Sequence, residues 1–336
     1  MATANKSKIW LVTGGAGFIG SHIVEELLKS DHKVITLDNY STGPKSNLLE
    51  VQRLVGDDRA ANLQMIEGDI RDTGVCEQAC LGVDYVLHLA AQGSVPLSIE
   101  EPLSSLEINA QGFNIVIEAA RKAQVKRVVY SSSSAVYGDD PTLPKKEETV
   151  GHVLSPYAAG KKMNELTAEV YHRCYGSAPS NFSVVGLRYF NVFGPRQSPN
   201  GAYAAVIPQW ILRLASGQKA VVYGDGSATR DFCAVANVVD ANLLAATAEH
   251  TRVSGKVYNI AMGTRMSLVE LHSKIVGELE AAGKTVKDRA LEFAPFRKGD
   301  ILHSHADISR AKVDLKFAPK VSIDDGLRTT VRSFLK

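Results

Sequence analysis

Cysteine is scarce in this chain of 336 residues: Cys76, Cys80, Cys174 and Cys233 are all there are. Only Cys76 and Cys80 lie close, at C-x3-C, with no second pair to complete a zinc site or a disulfide framework. The reading is four reduced, buried thiols in a reducing compartment. An excess of charge is lacking too. Lys plus Arg is 38 and Asp plus Glu is 36, a formal net charge of +2, so nothing electrostatic points to nucleic acid or an anionic membrane as partner. No apolar run reaches the roughly 18 residues that a membrane span needs. Met1 to Lys8 is short and polar, without the apolar centre of a secretion signal. A soluble, cytoplasmic protein is the expectation. Internal repeats and low-complexity tracts are also missing. What remains is an ordinary globular composition, 45% hydrophobic and 22% charged, long enough for about two domains with their own cores.

The first half alternates short apolar runs with helix-length segments. Ile9–Thr13, Val34–Leu37, Leu63–Ile66, Tyr85–Leu89, Arg127–Ser131 and Phe182–Leu187 read as strands; Phe18–Ser30, Leu103–Ala123 and Pro156–Tyr175 read as helices. Such alternation implies right-handed βαβ units and a parallel sheet covered on both faces. Ser155 suits an N-cap and Pro156 the first helical turn. After Arg188 the texture changes: Gly194, Pro195, Pro199 and Gly201 mark a long loop, followed by a helix near Ala204–Ser216, strands at Ala220–Tyr223 and Val257–Ile260, and helices near Val235–His250, Leu268–Ala282 and Ile323–Leu335. The expected fold class is α/β, a Rossmann-type doubly wound parallel sheet with a smaller mixed α/β C-terminal lobe. The expected division is residues 1–188 for the nucleotide-binding part and 189–336 mainly for the substrate lobe, some segments returning to the first part.

Thr13-Gly14-Gly15-Ala16-Gly17-Phe18-Ile19-Gly20 follows the first strand and opens the first helix. Gly14, Gly17 and Gly20 fit G-x-x-G-x-x-G, and Gly15, Gly17 and Gly20 fit G-x-G-x-x-G. Glycine allows the tight turn and lets backbone approach a pyrophosphate at the positive helix N-terminus. Asp38 ends the second strand, followed by Asn39. A carboxylate there accepts hydrogen bonds from ribose hydroxyls and repels a 2′-phosphate, favouring NAD over NADP. Asp69 and Ile70 end the third strand, where Asp69 could meet the adenine amino group.

Tyr157 and Lys161 form Y-x-x-x-K at a helix start, one turn apart on one face. A free tyrosine is a poor base at neutral pH, and a neighbouring ammonium is expected to favour phenolate. Ser131-Ser132-Ser133-Ser134 closes the fifth strand just before Ala135-Val136-Tyr137-Gly138. That is the sheet edge where ligands of open α/β folds bind.

Together the glycine fingerprint, Asp38, the Ser-Ser-Ser-x-x-Tyr-Gly turn and Ser-Pro-Tyr-x-x-x-Lys resemble the extended short-chain dehydrogenase/reductase superfamily. Leu187–Pro195 (LRYFNVFGP) and Arg230-Asp231-Phe232 add its nucleotide-sugar epimerase branch. The resemblance spans nearly the whole chain. It implies Ser133 as catalytic hydroxyl, Tyr157 as base and Lys161 on the nicotinamide ribose. It implies NAD bound by Gly14, Gly17, Phe18, Ile19, Gly20, Asp38, Asn39, Asp69 and Ile70. It also implies a UDP-sugar met by Ser94, Ser133, Asn191, Arg230, Arg297 and Asp300, with Ala205 and Val206 beside the uracil. Two fixed guanidiniums suit a diphosphate. A homodimer through Leu103–Ala123 and Pro156–Tyr175 is implied as well.

Dehydratases of the superfamily carry an Asp-Glu pair after the catalytic hydroxyl, and elimination needs such an acid and base. Ser134 and Ala135 stand there instead, which leaves 4-epimerisation. The position four residues after Asp300, where the resemblance implies a bulky tyrosine in glucose-restricted members, is Ser304. This favours UDP-GlcNAc and UDP-GalNAc. UDP-glucose or UDP-glucuronate, or a catalytically silent nucleotide-sugar or NAD-binding regulator, are the alternatives. Gln92 departs from the expected pattern. His303 and His305 flank Ser304 as H-x-H, read as exposed loop histidines rather than metal ligands.

Overall fold

The structure, a computed structural model, describes residues 7–199, 205–295 and 302–335. Six strands alternate with helices: β1 (Ile9–Thr13), β2 (Lys33–Asp38), β3 (Leu63–Glu67), β4 (Tyr85–His88), β5 (Arg127–Ser133) and β6 (Ser183–Tyr189). Short strands follow: β7 (Val192–Phe193), β8 (Ala220–Tyr223), β9 (Thr229–Arg230) and β10 (Cys233–Ala234). Then come β11 (Val257–Ile260), β12 (Met266–Ser267) and β13 (Leu291–Ala294). Seven of these make the main sheet in the order β11-β6-β5-β4-β1-β2-β3, parallel throughout. The chain order reverses between β1 and β4, which opens a crevice beyond their carboxyl ends.

The period-two geometry of a strand explains why these runs are apolar at nearly every position. Trp10, Val12, Leu87, Val129 and Val185 face one core, with Ile23, Val24 and Leu27 of the helix Phe18–Lys29 and Val238, Ala241 and Ala245 of the helix Val235–Thr247. Leu11, Val86, Val128 and Val184 face the other, with Phe113, Val116 and Ile117 and the helix Thr73–Cys80. A third core, around Trp210, Ile211, Leu271, Ile275 and Val331, belongs to the C-terminal lobe. The doubly wound α/β fold with a smaller lobe is as expected. β11, read from sequence among the lobe's elements, pairs with β6 in the main sheet. β13, not foreseen, pairs in parallel with β8. Among the described residues, no helix is long and apolar enough to cross a membrane.

Two expectations need correction. Leu103–Ala123 is not one regular helix: Pro102–Leu106 and Gly112–Lys122 are joined by a π-turn at Glu107–Gln111. That wide turn carries Asn109, whose amide bonds the backbone of Gln92 in both directions, at 2.8 and 3.1 Å, and this bidentate match offsets the poorer helix geometry. The thiols are not all buried: Cys174 is exposed, because it lies on the outward side of the last turn of the helix Pro156–Tyr175.

Candidate active site

The glycine turn is built for close approach. Gly14 has φ +71°, and a Cβ there would stand 2.6 Å from the Ala90 nitrogen; one on Gly20 would stand 2.1 Å from the Gly14 oxygen. Gly17 precedes the helix Phe18–Lys29 with no side chain capping it, so the first N–H groups of that helix remain for an anion. Asp38 is buried at the end of β2. Its Oδ2 accepts from the Ala16 N–H at 2.9 Å and its Oδ1 from the Tyr40 N–H at 2.8 Å, fixing the carboxylate with lone pairs to spare. Burial raises its pKa above the usual aspartate value, against those two hydrogen bonds.

Asp69 departs from a simple adenine contact. Arg71 holds it with two parallel bonds, at 2.9 and 2.8 Å, and Asn39 donates to it at 3.0 Å. The Arg71 bonds pull its carboxyl well below the ordinary range.

The three residues expected to be catalytic come from two elements. Three serines end β5, and one stripe of the helix Pro156–Tyr175 grips them. Lys161, 2% exposed, donates to the Ser131 carbonyl at 2.8 Å and to its Oγ at 3.1 Å. Tyr157 and Ser133 line the same cavity. Glu165 takes a hydrogen bond from Ser132 Oγ at 2.7 Å. Residues 157, 161 and 165 repeat at i, i+4 and i+8, so they share a helix face. Glu165 is not among the residues singled out from sequence, although it is the next step of the same four-residue spacing. The helix start is fixed by Ser155, whose Oγ accepts from Ala158 N–H, and by Ser98, whose Oγ accepts from Tyr157 N–H at 3.1 Å.

The pKa pattern differs from the expectation in one respect. Burial raises Tyr157 above the usual phenol value despite the opposing effect of the Ser133 hydroxyl, and the expected lowering by Lys161 is not found. The reason is geometric: the ammonium is turned to Ser131 and lies 5.9 Å from the Tyr157 ring centre. Burial pushes Lys161 itself down to about 8. His88, bonded to Thr13 Oγ1 at 2.9 Å, is pushed down to about 3 by burial and the Lys161 charge, so it is neutral and no acid at physiological pH.

All nine residues expected to bind NAD line one cavity of about 680 Å³, together with Ser133, Tyr157 and Lys161. Its volume, the cradle that a Cβ would fill, the free helix N-terminus and the fixed Asp38 carboxylate fit a dinucleotide. A second cavity, of about 260 Å³, is lined by Asn191, Ala205, Val206 and Arg230. Val192 and Gln197 line both, so the two adjoin. Arg230 donates to the carbonyls of Thr229 and Leu302, each at 3.0 Å.

Other expected substrate residues stand elsewhere. Ser94 lines neither cavity; its Oγ accepts from Leu97 N–H and caps the helix Val95–Glu100. Ser304 is half-buried beside the second cavity's Leu302, its N–H on the Thr229 carbonyl at 3.0 Å. Arg297 and Asp300 lie outside the described residues. His303 is exposed and bonds Thr229 Oγ1, whereas His305 is only half-exposed, because it bonds the Gly263 carbonyl. Among the described residues no cluster of three metal-ligating side chains occurs.

The cleft yields a prediction about the nucleotide. Denaturing the purified protein is expected to release NAD rather than NADP, because the Asp38 carboxylate opposes a 2′-phosphate; chromatography of the released dinucleotide checks this, and mainly NADP would contradict it.

The same fold is found in known proteins. The chain is similar to the UDP-N-acetylglucosamine 4-epimerase from Methanobrevibacter ruminantium M1, solved in complex with UDP-N-acetylmuramic acid, at 39% identity over 98% of this chain and 99% of that one, with a TM-score of 0.88. It is similar to the Thermotoga maritima UDP-glucose 4-epimerase solved with UDP-glucose, at 35% identity over 97% and 98% of the two chains, with a TM-score of 0.85. The UDP-glucose 4-epimerase of Mycolicibacterium smegmatis is 35% identical over 328 residues, 96% of this chain and 97% of that protein. The sequence profile of the NAD dependent epimerase/dehydratase family matches residues 10–261, and the chain belongs to that family.

Proposed function

We propose that this protein is a UDP-sugar 4-epimerase that uses bound NAD and interconverts UDP-GlcNAc and UDP-GalNAc. One observation carries the reading: Ser133, Tyr157 and Lys161 meet in the cavity that holds the glycine cradle, and that cavity adjoins the one lined by Asn191 and Arg230. NAD held there would supply a hydride acceptor and donor for the sugar C4, and a positive charge while oxidised.

The chain's own residues do the rest. Ser133 Oγ accepts from Ala135 N–H at 3.1 Å, which leaves its proton for the oxygen of Tyr157 or the sugar O4. Tyr157 removes the O4 proton and later gives it back. Lys161 is anchored by two of its three N–H bonds at Ser131, and the third serves a ribose hydroxyl. Arg230 and Arg297 neutralise the diphosphate, about which the 4-keto sugar turns between the two half-reactions. Ser134 and Ala135, in the 3₁₀ turn Ser134–Tyr137, supply no acid–base pair for elimination.

The acetylated sugar is favoured by the small side chain of Ser304 and by the 39% likeness to an enzyme of that activity. UDP-glucose is the second reading, favoured by two relatives of that name. Assays of the purified protein across UDP-GlcNAc, UDP-glucose and UDP-glucuronate decide between them. Ser304→Tyr is expected to lower kcat/KM for UDP-GlcNAc about ten- to a hundredfold while sparing UDP-glucose, since overpacking a filled site costs about 1–3 kcal/mol. An unchanged ratio between the two sugars rejects the role of Ser304.

A homodimer belongs to the same proposal. Ile99, Leu103, Met163, Leu166 and Val170 are large apolar side chains exposed on the short helices Val95–Glu100 and Pro102–Leu106 and on the helix Pro156–Tyr175, a patch of the kind that self-association covers.

A further inference from the structure

The catalytic serine and the catalytic tyrosine sit on different elements, β5 and the helix Pro156–Tyr175, and something must set the distance between them. Glu165 is the third member of the helix stripe that grips the three serines. Its Oε1 accepts from Ser132 Oγ at 2.7 Å and from Arg188 Nε at 2.8 Å; its Oε2 accepts from Arg188 Nη2 at 2.8 Å. Lys162 adds a weaker contact at 3.4 Å. Arg188, on β6, is the in-register neighbour of Ser132. Its third arm donates to the Glu147 carbonyl at 3.1 Å, and its guanidinium lies over the ring of Tyr137, 4.8 Å from the centre. Tyr137 ends the 3₁₀ turn that Ser133 caps, and its hydroxyl donates to Asn259 on β11 at 2.6 Å.

Arg188 is 2% exposed and Glu165 7%. Burial alone would raise the Glu165 carboxyl, but the hydrogen bonds and charge of Arg188 outweigh it and hold the carboxyl below its ordinary value. A buried ion pair is weak evidence for stability in itself, because desolvation offsets the attraction, and its best attested use is to fix register. Here both hydrogen-bonding edges of one carboxylate are spent on the residue next to Ser133 and on the strand beside it. No apolar replacement could tie a helix face to a strand end with that directionality.

We propose that Glu165, locked by Arg188, is a positioning residue for the proton transfer: through Ser132 it fixes where Ser133 stands relative to Tyr157. The role rests on the epimerase reading. It acts on the transition state rather than on binding, because Glu165 and Arg188 line neither cavity.

The test compares wild type with Glu165→Gln and Ser132→Ala, each purified with its bound dinucleotide. Kinetics are measured on UDP-GlcNAc and UDP-glucose, with dinucleotide content and melting temperature alongside. Glu165→Gln is expected to lower kcat about a hundredfold, the scale of a misplacement of about 1 Å. Ser132→Ala, which spares the ion pair, is expected to lower it about tenfold. KM and dinucleotide content should stay within about twofold of wild type, the signature of a loss confined to the transition state. If both variants melt lower but keep wild-type kcat per loaded protein, the pair is structural and the proposal falls. If Glu165→Gln does not fold, Ser132→Ala decides by the same criterion. Wild type with no turnover of any UDP-hexose would overturn the epimerase reading instead, a result separate from wild type active with both variants unimpaired.

Discussion

Tyr157→Phe is expected to fold, hold its dinucleotide and lose about 10²- to 10⁴-fold in kcat, the range for removing a general acid–base group. The ring keeps its packing, and the Tyr157 N–H keeps its bond to Ser98 Oγ; only the oxygen that exchanges a proton with the substrate is lost. Burial already holds the phenol above its usual value in this site. A base at neutral pH therefore needs positive charge beyond the Lys161 ammonium, which is turned to Ser131, and an oxidised nicotinamide would supply it. Steady-state rates of the purified variant, with its dinucleotide content measured alongside, check this. Near-normal turnover would remove Tyr157 from the mechanism.

Lys161→Met should have two effects of opposite sign. Activity and dinucleotide retention fall, because the proposed ribose donor is gone. Stability of the dinucleotide-free protein rises. The Lys161 ammonium is buried and pushed down to about 8 from an ordinary 10.5, so the unfolded chain binds this proton more tightly than the native one. The resulting penalty is fully present below pH 8 and is relieved as pH rises from about 8 towards 10.5. A depression of this size corresponds to about 3 kcal/mol at pH 7 as an upper value, from which the loss of the two Ser131 hydrogen bonds subtracts. Denaturant unfolding of wild type and variant at pH 7 and at high pH checks the sign: a gain at pH 7 that shrinks at high pH is expected, and a loss at pH 7 contradicts it. A stabilising substitution that removes activity is what a site built at the expense of stability predicts.

Much of this site is legible in the amino-acid sequence, and the reason is local chemistry. Gly14 and Gly20 tolerate no Cβ, Asp38 must end a strand, and Tyr157 and Lys161 must share a helix face. Each of these constraints lies within a few residues of chain, so spacing reveals it. The rest depends on contacts between distant segments. Glu165 meets Arg188 and Ser132 only after β5, β6 and the helix Pro156–Tyr175 have packed. The π-turn at Glu107–Gln111 is set by Asn109 reaching the Gln92 backbone, which no periodicity in Leu103–Ala123 announces. Ser94 has an N-cap role that any serine before an apolar turn would satisfy. Asp69 is engaged by Arg71, two residues on, a pairing close enough along the chain for spacing to suggest it.

In the proposed function one carbon is oxidised and re-reduced by a dinucleotide that never leaves. The most direct measurement runs the purified protein with UDP-GlcNAc in D₂O, with no dinucleotide added, and follows UDP-GalNAc by chromatography and mass spectrometry. The account predicts UDP-GalNAc without deuterium at C4, because the hydrogen that leaves C4 returns to it. Deuterium at C4, or turnover only when free dinucleotide is supplied, would contradict it.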